Sequence, residues 1–147
     1  MLRVDIAGNI SKRFSLSGIE IPRYGGACPR WNIYSAFTTP GKIHAAVSKM
    51  SNGEKYVCIA KTVEKGVGRY GKSKSMLSIG LGCEAKYAKD FVYTENLNVN
   101  DKKIEMPIGV SCRTCDRLDC SQRAFPPLHK KFDVDINSRG VSVYVTE

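Results

Sequence analysis

Hydrophobic and polar positions alternate at the start of the chain. Val4 and Ile6 precede the turn Ala7-Gly8-Asn9, and Ile10, Phe14 and Leu16 follow it. A period near two on both sides of Gly-Asn predicts strand, tight turn, strand, with Gly8 and Asn9 supplying the positive backbone angles. Ile19 and Ile21 extend the pairing, and Pro22 ends it. Tyr24-Gly25-Gly26-Ala27-Cys28-Pro29 reads as a loop, with Pro29 placed as the first residue of a helix. Trp31, Tyr34 and Phe37 recur at spacing three and give that helix an aromatic face.

Thr38-Thr39-Pro40-Gly41 breaks the helix, and a second short helical stretch is expected through His44, Ala45, Ala46 and Val47. Ser51-Asn52-Gly53 turns the chain into a strand over Tyr56-Val57-Cys58-Ile59-Ala60. Gly66, Gly68 and Gly71 mark a hairpin loop, followed by a strand over residues 76–81. Ala85, Ala88 and Phe91 predict a helix beginning near Cys83 or Glu84. Polar residues through Lys103 read as loop, and the apolar runs from Phe132 and from Val141 close the chain as one or two strands. No internal repeat is visible. Together these elements predict one α+β domain over residues 1–147, a mainly antiparallel sheet with two or three short helices and a cysteine-rich loop.

At 147 residues the chain can bury a continuous core without covalent staples. No apolar run approaches the roughly 20 residues needed to span a bilayer. Asp5 falls too early for a secretory apolar core, so no membrane or export role is expected and the cytoplasm is the expected compartment. There, clustered cysteines bind metal more often than they form disulfides. The 23 basic and 14 acidic residues leave a charge of +9. That balance attracts phosphates, whether of nucleic acid or of a phosphorylated cofactor such as coenzyme A, and it also serves plain solubility.

Chemistry concentrates in Cys112, Cys115 and Cys120, a C-x2-C-x4-C run set among Arg113, Arg117 and Arg123 and closed by Pro126-Pro127. Two thiols separated by two residues can turn back onto one metal centre, and the third follows within a short loop. The fourth ligand must come from elsewhere. Cys83, directly after a strand, is the first candidate, and Cys28, in a glycine-rich loop, is the second. Cys58 sits inside a strand pattern and suits core packing, while His129 is an awkward reach beyond two prolines. Spacing alone leaves zinc and iron–sulfur both open. The arginines suit a site carrying negative charge, and equally a solvated loop.

Evidence for catalysis is thin. His44 and His129 stand in no triad pattern, and no nucleophile elbow, P-loop or dinucleotide fingerprint occurs. Gly66-x-Gly68-x-x-Gly71 imitates a phosphate loop but lies between two strands, where a hairpin turn accounts for it. The segment Arg23–Asn32 is the second informative stretch. Its glycine pair would let a ligand approach the backbone, a helix starting at Pro29 would offer free amides to a phosphate, and Tyr24 or Trp31 could stack on a purine. A tight turn beside a core tryptophan is the plainer account.

These segments resemble the bacterial short-chain fatty acyl-coenzyme A regulators, which include regulators of propionate and glyoxylate metabolism. The resemblance rests on Arg3-Val4-Asp5, the run 8–13, Gly25-Gly26-Ala27-Cys28-Pro29 with Trp31-Asn32 and Ala36-Phe37, Ile59-Ala60-Lys61-Thr62, Gly80-Leu81-Gly82-Cys83, and the closing motif from Cys112 to Pro126. It covers nearly the whole chain and departs at Arg30, where leucine is usual. It implies a non-enzymatic C-terminal effector domain of a transcription factor that binds coenzyme A or short acyl-coenzyme A, carries a [4Fe-4S] cluster and forms a homo-oligomer. DNA contact would come only from a helix-turn-helix missing from this chain. Cys112, Cys115 and Cys120 match the cluster motif, with Cys83 as the expected fourth ligand. Arg23, Trp31, Arg123 and Phe125 are the expected ligand-pocket residues. The competing readings are a zinc-stabilised nucleic-acid-binding module, and a cluster-bearing enzyme or electron carrier.

Overall fold

Two long strands carry the sheet. In the computed structural model, which describes residues 1–66, 70–71, 74–129 and 137, β4 (Lys55–Lys65) and β5 (Ser75–Glu84) form an antiparallel hairpin. β1 (Leu2–Asp5) and β2 (Ile10–Arg13) flank it on one side, while β3 (His44–Lys49) and β6 (Glu105–Pro107) flank it on the other. The six-stranded order is β2-β1-β5-β4-β3-β6, antiparallel except for the β3–β6 pair. The fold is therefore α+β on a mainly antiparallel sheet. The expected glycine signature between β4 and β5 is the hairpin connection, with Gly66 and Gly71 both at positive φ.

Four local expectations change. The stretch from His44 to Val47 is strand rather than helix: Ala45 and Ala46 stand opposite Ile59 and Cys58 in a ladder with β4. A turn ending at Gly53 (φ +90°) makes that pairing local, and ladder hydrogen bonds plus cross-strand packing outweigh the small helix preference of alanine. The helix does not start at Pro29. Trp31 is extended (φ −68°, ψ 136°), and α1 covers only Asn32–Ser35. Ile19 and Ile21 extend no strand, yet they pack on the core as side chains of an irregular segment. Residues Ala85–Asp90 and Val92–Thr94 form 3-10 turns rather than an α-helix. β6 was hidden in sequence because three residues give no period to read. The strands expected around Phe132 and Val141 lie outside the described residues.

α1 is short but firmly seated. Asn32 Nδ2 donates to the carbonyls of Cys58 (3.0 Å) and His44 (3.2 Å), joining the helix to β4 and β3. Ser78 Oγ, fully buried on β5, donates to the Ile33 carbonyl at 2.6 Å. A Cβ on Gly80 would stand 3.1 Å from Ile33 Cδ1, so glycine there lets the helix approach without pushing Ile33 aside. The aromatic residues at spacing three do face the core: Trp31 is buried, and Tyr34 and Phe37 pack against it.

Candidate functional site

Beyond β6 the chain folds back over the loop that precedes α1. Ile108 N donates to Lys49 O at 2.9 Å, continuing the parallel pairing, and Cys28 N donates to Val110 O at 3.0 Å. The indole Nε1 of Trp31 donates to Gly109 O at 2.8 Å in a buried bond. These contacts lay the cysteine segment against Cys28. Glu105 anchors the return, pairing with Lys49 (3.2 Å) and Lys55 while its own side chain is only 6% exposed.

Cys28, Cys112, Cys115 and Cys120 line one narrow cleft together with Gly109, Arg30, Arg117 and Arg123. Its free space is about 10 Å³, room for roughly one water. Gly109 leaves room beside Cys115, since a Cβ there would lie 3.1 Å from its Sγ. The loop closes through a 3-10 turn at Cys112–Thr114, and Ala124 N donates to Cys112 Sγ at 3.4 Å. Arg123, 7% exposed, gathers the segment: its guanidinium donates to the carbonyls of Cys112 (3.1 Å), Cys115 (3.3 Å) and Arg117. Its Nε, like that of Arg30, is buried without a hydrogen-bond partner. Burial pushes the Cys28 thiol above its usual range, and the neighbouring Cys112 and Cys115 add to that push. All six cysteines are unbridged. Among the described residues, no three His, Cys, Asp or Glu side chains are set to hold a single metal ion.

Of the two candidates for the fourth thiol, the fold brings Cys28 to the other three and leaves Cys83 elsewhere. Cys83 stands on β5 opposite Val57 and belongs to a second, larger cavity. That cavity holds about 500 Å³ and is mostly apolar, within the size range of small-molecule sites. Gly80, Gly82 and Cys58 form its sheet side, Trp31 and Ile33 one wall, and Phe14, Leu16 and Tyr87 its outer rim. Among the described residues, Glu84 is the one charged side chain lining it. Desolvation raises the Cys58 thiol to about 11, so this sulfur is neutral lining. Two glycines in the middle of a strand were the sequence signal for this cavity, since such glycines mark close approach of a ligand or backbone.

The expected ligand residues do not converge. Trp31 lines the apolar cavity and Arg123 the cysteine cleft. Arg23 is exposed on the glycine loop. Phe125 is half-exposed beneath the Arg113 guanidinium, 4.6 Å from its ring centre. His129 faces Asp116 at 2.6 Å rather than the thiols. With α1 a single turn, no helix start at Pro29 presents amides to a phosphate.

Comparison with known proteins gives this arrangement a family. The chain is 43% identical over 99% of its length to the HTH-type transcriptional regulator RamB of Mycobacterium tuberculosis. It is 42% identical over 97% to the propionyl-CoA carboxylase regulator of Cereibacter sphaeroides, and 41% identical over 93% to the HTH-type transcriptional regulator PrpR of M. tuberculosis. It spans 31%, 31% and 28% of these relatives respectively, about a third of each. A solved M. tuberculosis transcriptional regulator superposes with a TM-score of 0.86 at 38% identity, over 95% of this chain and 43% of the other. Residues 1–144 match the model for the short-chain fatty acyl coenzyme A regulator C-terminal domain, and the chain belongs to that family of transcriptional regulators.

Proposed function

We propose that this domain is the sensing unit of its regulator, binding a short-chain acyl-coenzyme A and carrying a [4Fe-4S] cluster on Cys28, Cys112, Cys115 and Cys120. The carrying observation is the convergence of those four thiols in one cleft with two buried, unpartnered guanidinium N–H groups. A zinc ion would need its ligands about 2.3 Å from a single point, which the described thiols do not offer. A four-iron cluster takes one thiolate at each iron, so it does not ask the sulfurs to meet at a single point. The donor chemistry fits as well: the centre is anionic, and N–H groups around the sulfurs stabilise it. With about 10 Å³ of free space, the cleft would have to widen to take a cluster. When bound, the cluster would supply rigid cross-links that order residues 109–123.

The apolar cavity is the place on this domain suited to the acyl end of the ligand. It has the volume for a short chain and the largely apolar lining that such a chain prefers, and its wall residue Trp31 also holds Gly109 of the cysteine cleft. The phosphates of the carrier would lie outside, where the +9 chain supplies cations. Ligand binding shifts the regulator only by its differential affinity for two states. Contact with DNA belongs to the helix-turn-helix of the full-length protein, and self-association is expected to run through this domain.

Anaerobic purification followed by iron, sulfide and zinc analysis tests the first half, with about four irons and four sulfides per chain expected. Calorimetric titration of the loaded protein with acetyl-, propionyl- and longer acyl-coenzyme A tests the second. A metal-free preparation that stays folded, or no heat at millimolar ligand, would remove the corresponding half.

A further inference from the structure

We propose that Arg30 sets the charge balance of the cysteine centre, so that replacing it changes how readily the centre accepts an electron. This rests on the cluster reading above and adds a residue outside the thiol set. Arg30 follows Cys28 by two positions and lines the cleft alongside Cys112, Cys115 and Cys120. Its Nε is buried with no acceptor, and its Nη2 reaches only the thioether of Met106 at 3.4 Å, a weak acceptor. Among the described residues no carboxylate pairs with it.

A guanidinium partly withdrawn from water without a counter-ion is costly unless an anion completes its surroundings. Among the described residues lining the cleft, the four thiols are the groups that would become anionic on binding a cluster. Arg123 repeats the pattern, but its other nitrogens are taken by three backbone carbonyls, which ties it to the loop fold. Arg30 makes no such bonds to the loop, so its charge is the part of the site that can be changed with least damage to the scaffold.

Four thiolates around a [4Fe-4S]²⁺ core leave a net charge of −2. One electron from a low-potential donor, with no bond made or broken and no proton moved, takes the centre to −3. A nearby cation stabilises the more negative state more strongly and raises the potential, as charge and hydrogen bonding to the sulfurs do in such centres generally.

The test uses the full chain, reconstituted anaerobically as wild type, Arg30→Gln and Arg30→Lys. Iron and sulfide are counted first, and the cluster is then titrated with dithionite through redox mediators and followed by electron paramagnetic resonance. In Arg30→Gln the reduced-to-oxidised ratio at fixed potential should fall about tenfold, equivalent to 59 mV for one electron, while Arg30→Lys stays nearer wild type. Loss of the cluster from Arg30→Gln with retention in Arg30→Lys also supports the charge role. Equal potentials in wild type and Arg30→Gln overturn it, as does loss of the cluster from both variants. A wild-type protein that binds no iron and sulfide defeats the cluster reading itself, a result separable from either.

Discussion

Trp31 donates its indole N–H to the carbonyl of Gly109, 78 positions away in sequence, at 2.8 Å and out of contact with water. One face of this side chain closes the apolar cavity, and its polar edge holds the strip of backbone that lines the cysteine cleft. As the chain's single tryptophan, it is also a built-in reporter of both sites. Trp31→Phe keeps an aromatic body and deletes the donor, leaving Gly109 O buried and unsatisfied. The cost should be about 1–3 kcal/mol, measured by urea denaturation. The loaded variant should also surrender iron to a chelator faster than wild type, because residues 109–110 then lose one of the hydrogen bonds that hold them beside Cys28.

The four thiols can be separated by substitution. Cys28→Ser and Cys115→Ser should each lose most of the bound iron. Cys83→Ser and Cys58→Ser should retain it, because both residues belong to the other cavity. Iron and sulfide per chain after identical anaerobic preparation decide the matter. Full iron content in Cys28→Ser with loss in Cys83→Ser would reverse the assignment.

This assignment marks where the sequence could be read and where it could not. C-x2-C-x4-C is a local pattern, so its three members were visible from spacing alone. Which further thiol comes beside these three is decided by the tertiary route of residues 105–110, which pass beside β3 and fold back onto the Cys28 loop. Nothing local to Cys28 or Cys83 encodes that route. The centres of β4 and β5 were legible because residues 56–60 and 76–81 are short apolar runs of strand length, whereas their full reach to Lys65 and Glu84 was not. The region from His44 to Val47 was misread because alanines carry helix preference, and only the partner strand decides. Trp31, Tyr34 and Phe37 gave a helical period that is real as a buried face but is spread over one helical turn and its flanks.

Gly82 should resist any side chain. A Cβ there would approach Cys58 Sγ to 3.0 Å and Val57 O to 3.4 Å, from the sheet side of the apolar cavity. Gly82→Ala is expected to cost about 1–3 kcal/mol as overpacking. Combining it with Cys58→Ala should recover part of that loss, since the sulfur is the nearer obstacle. The two single variants and the double variant form a thermodynamic cycle. Strict additivity in that cycle would mean the two positions do not collide.

The last prediction concerns acid. Lys55, with a further contribution from Lys49, holds the Glu105 carboxyl below its ordinary value of 4.5. A carboxylate whose folded pKa is depressed stabilises the native state above its unfolded pKa. That contribution disappears as pH falls from about 4.5 down through the folded value. Because Glu105 begins β6, the segment released first should be the one that carries Ile108 and Gly109 toward the cysteine cleft. Denaturation curves collected from neutral pH to below 4 should show stability declining across this window. Glu105→Gln should start lower at neutral pH and lose less on acidification. Hydrogen exchange at Ile108 N, bonded to Lys49 O at 2.9 Å, should accelerate in wild type over the same range, relative to the intrinsic rate. Parallel pH profiles for wild type and Glu105→Gln would show that the two lysines do not hold β6 through this carboxylate.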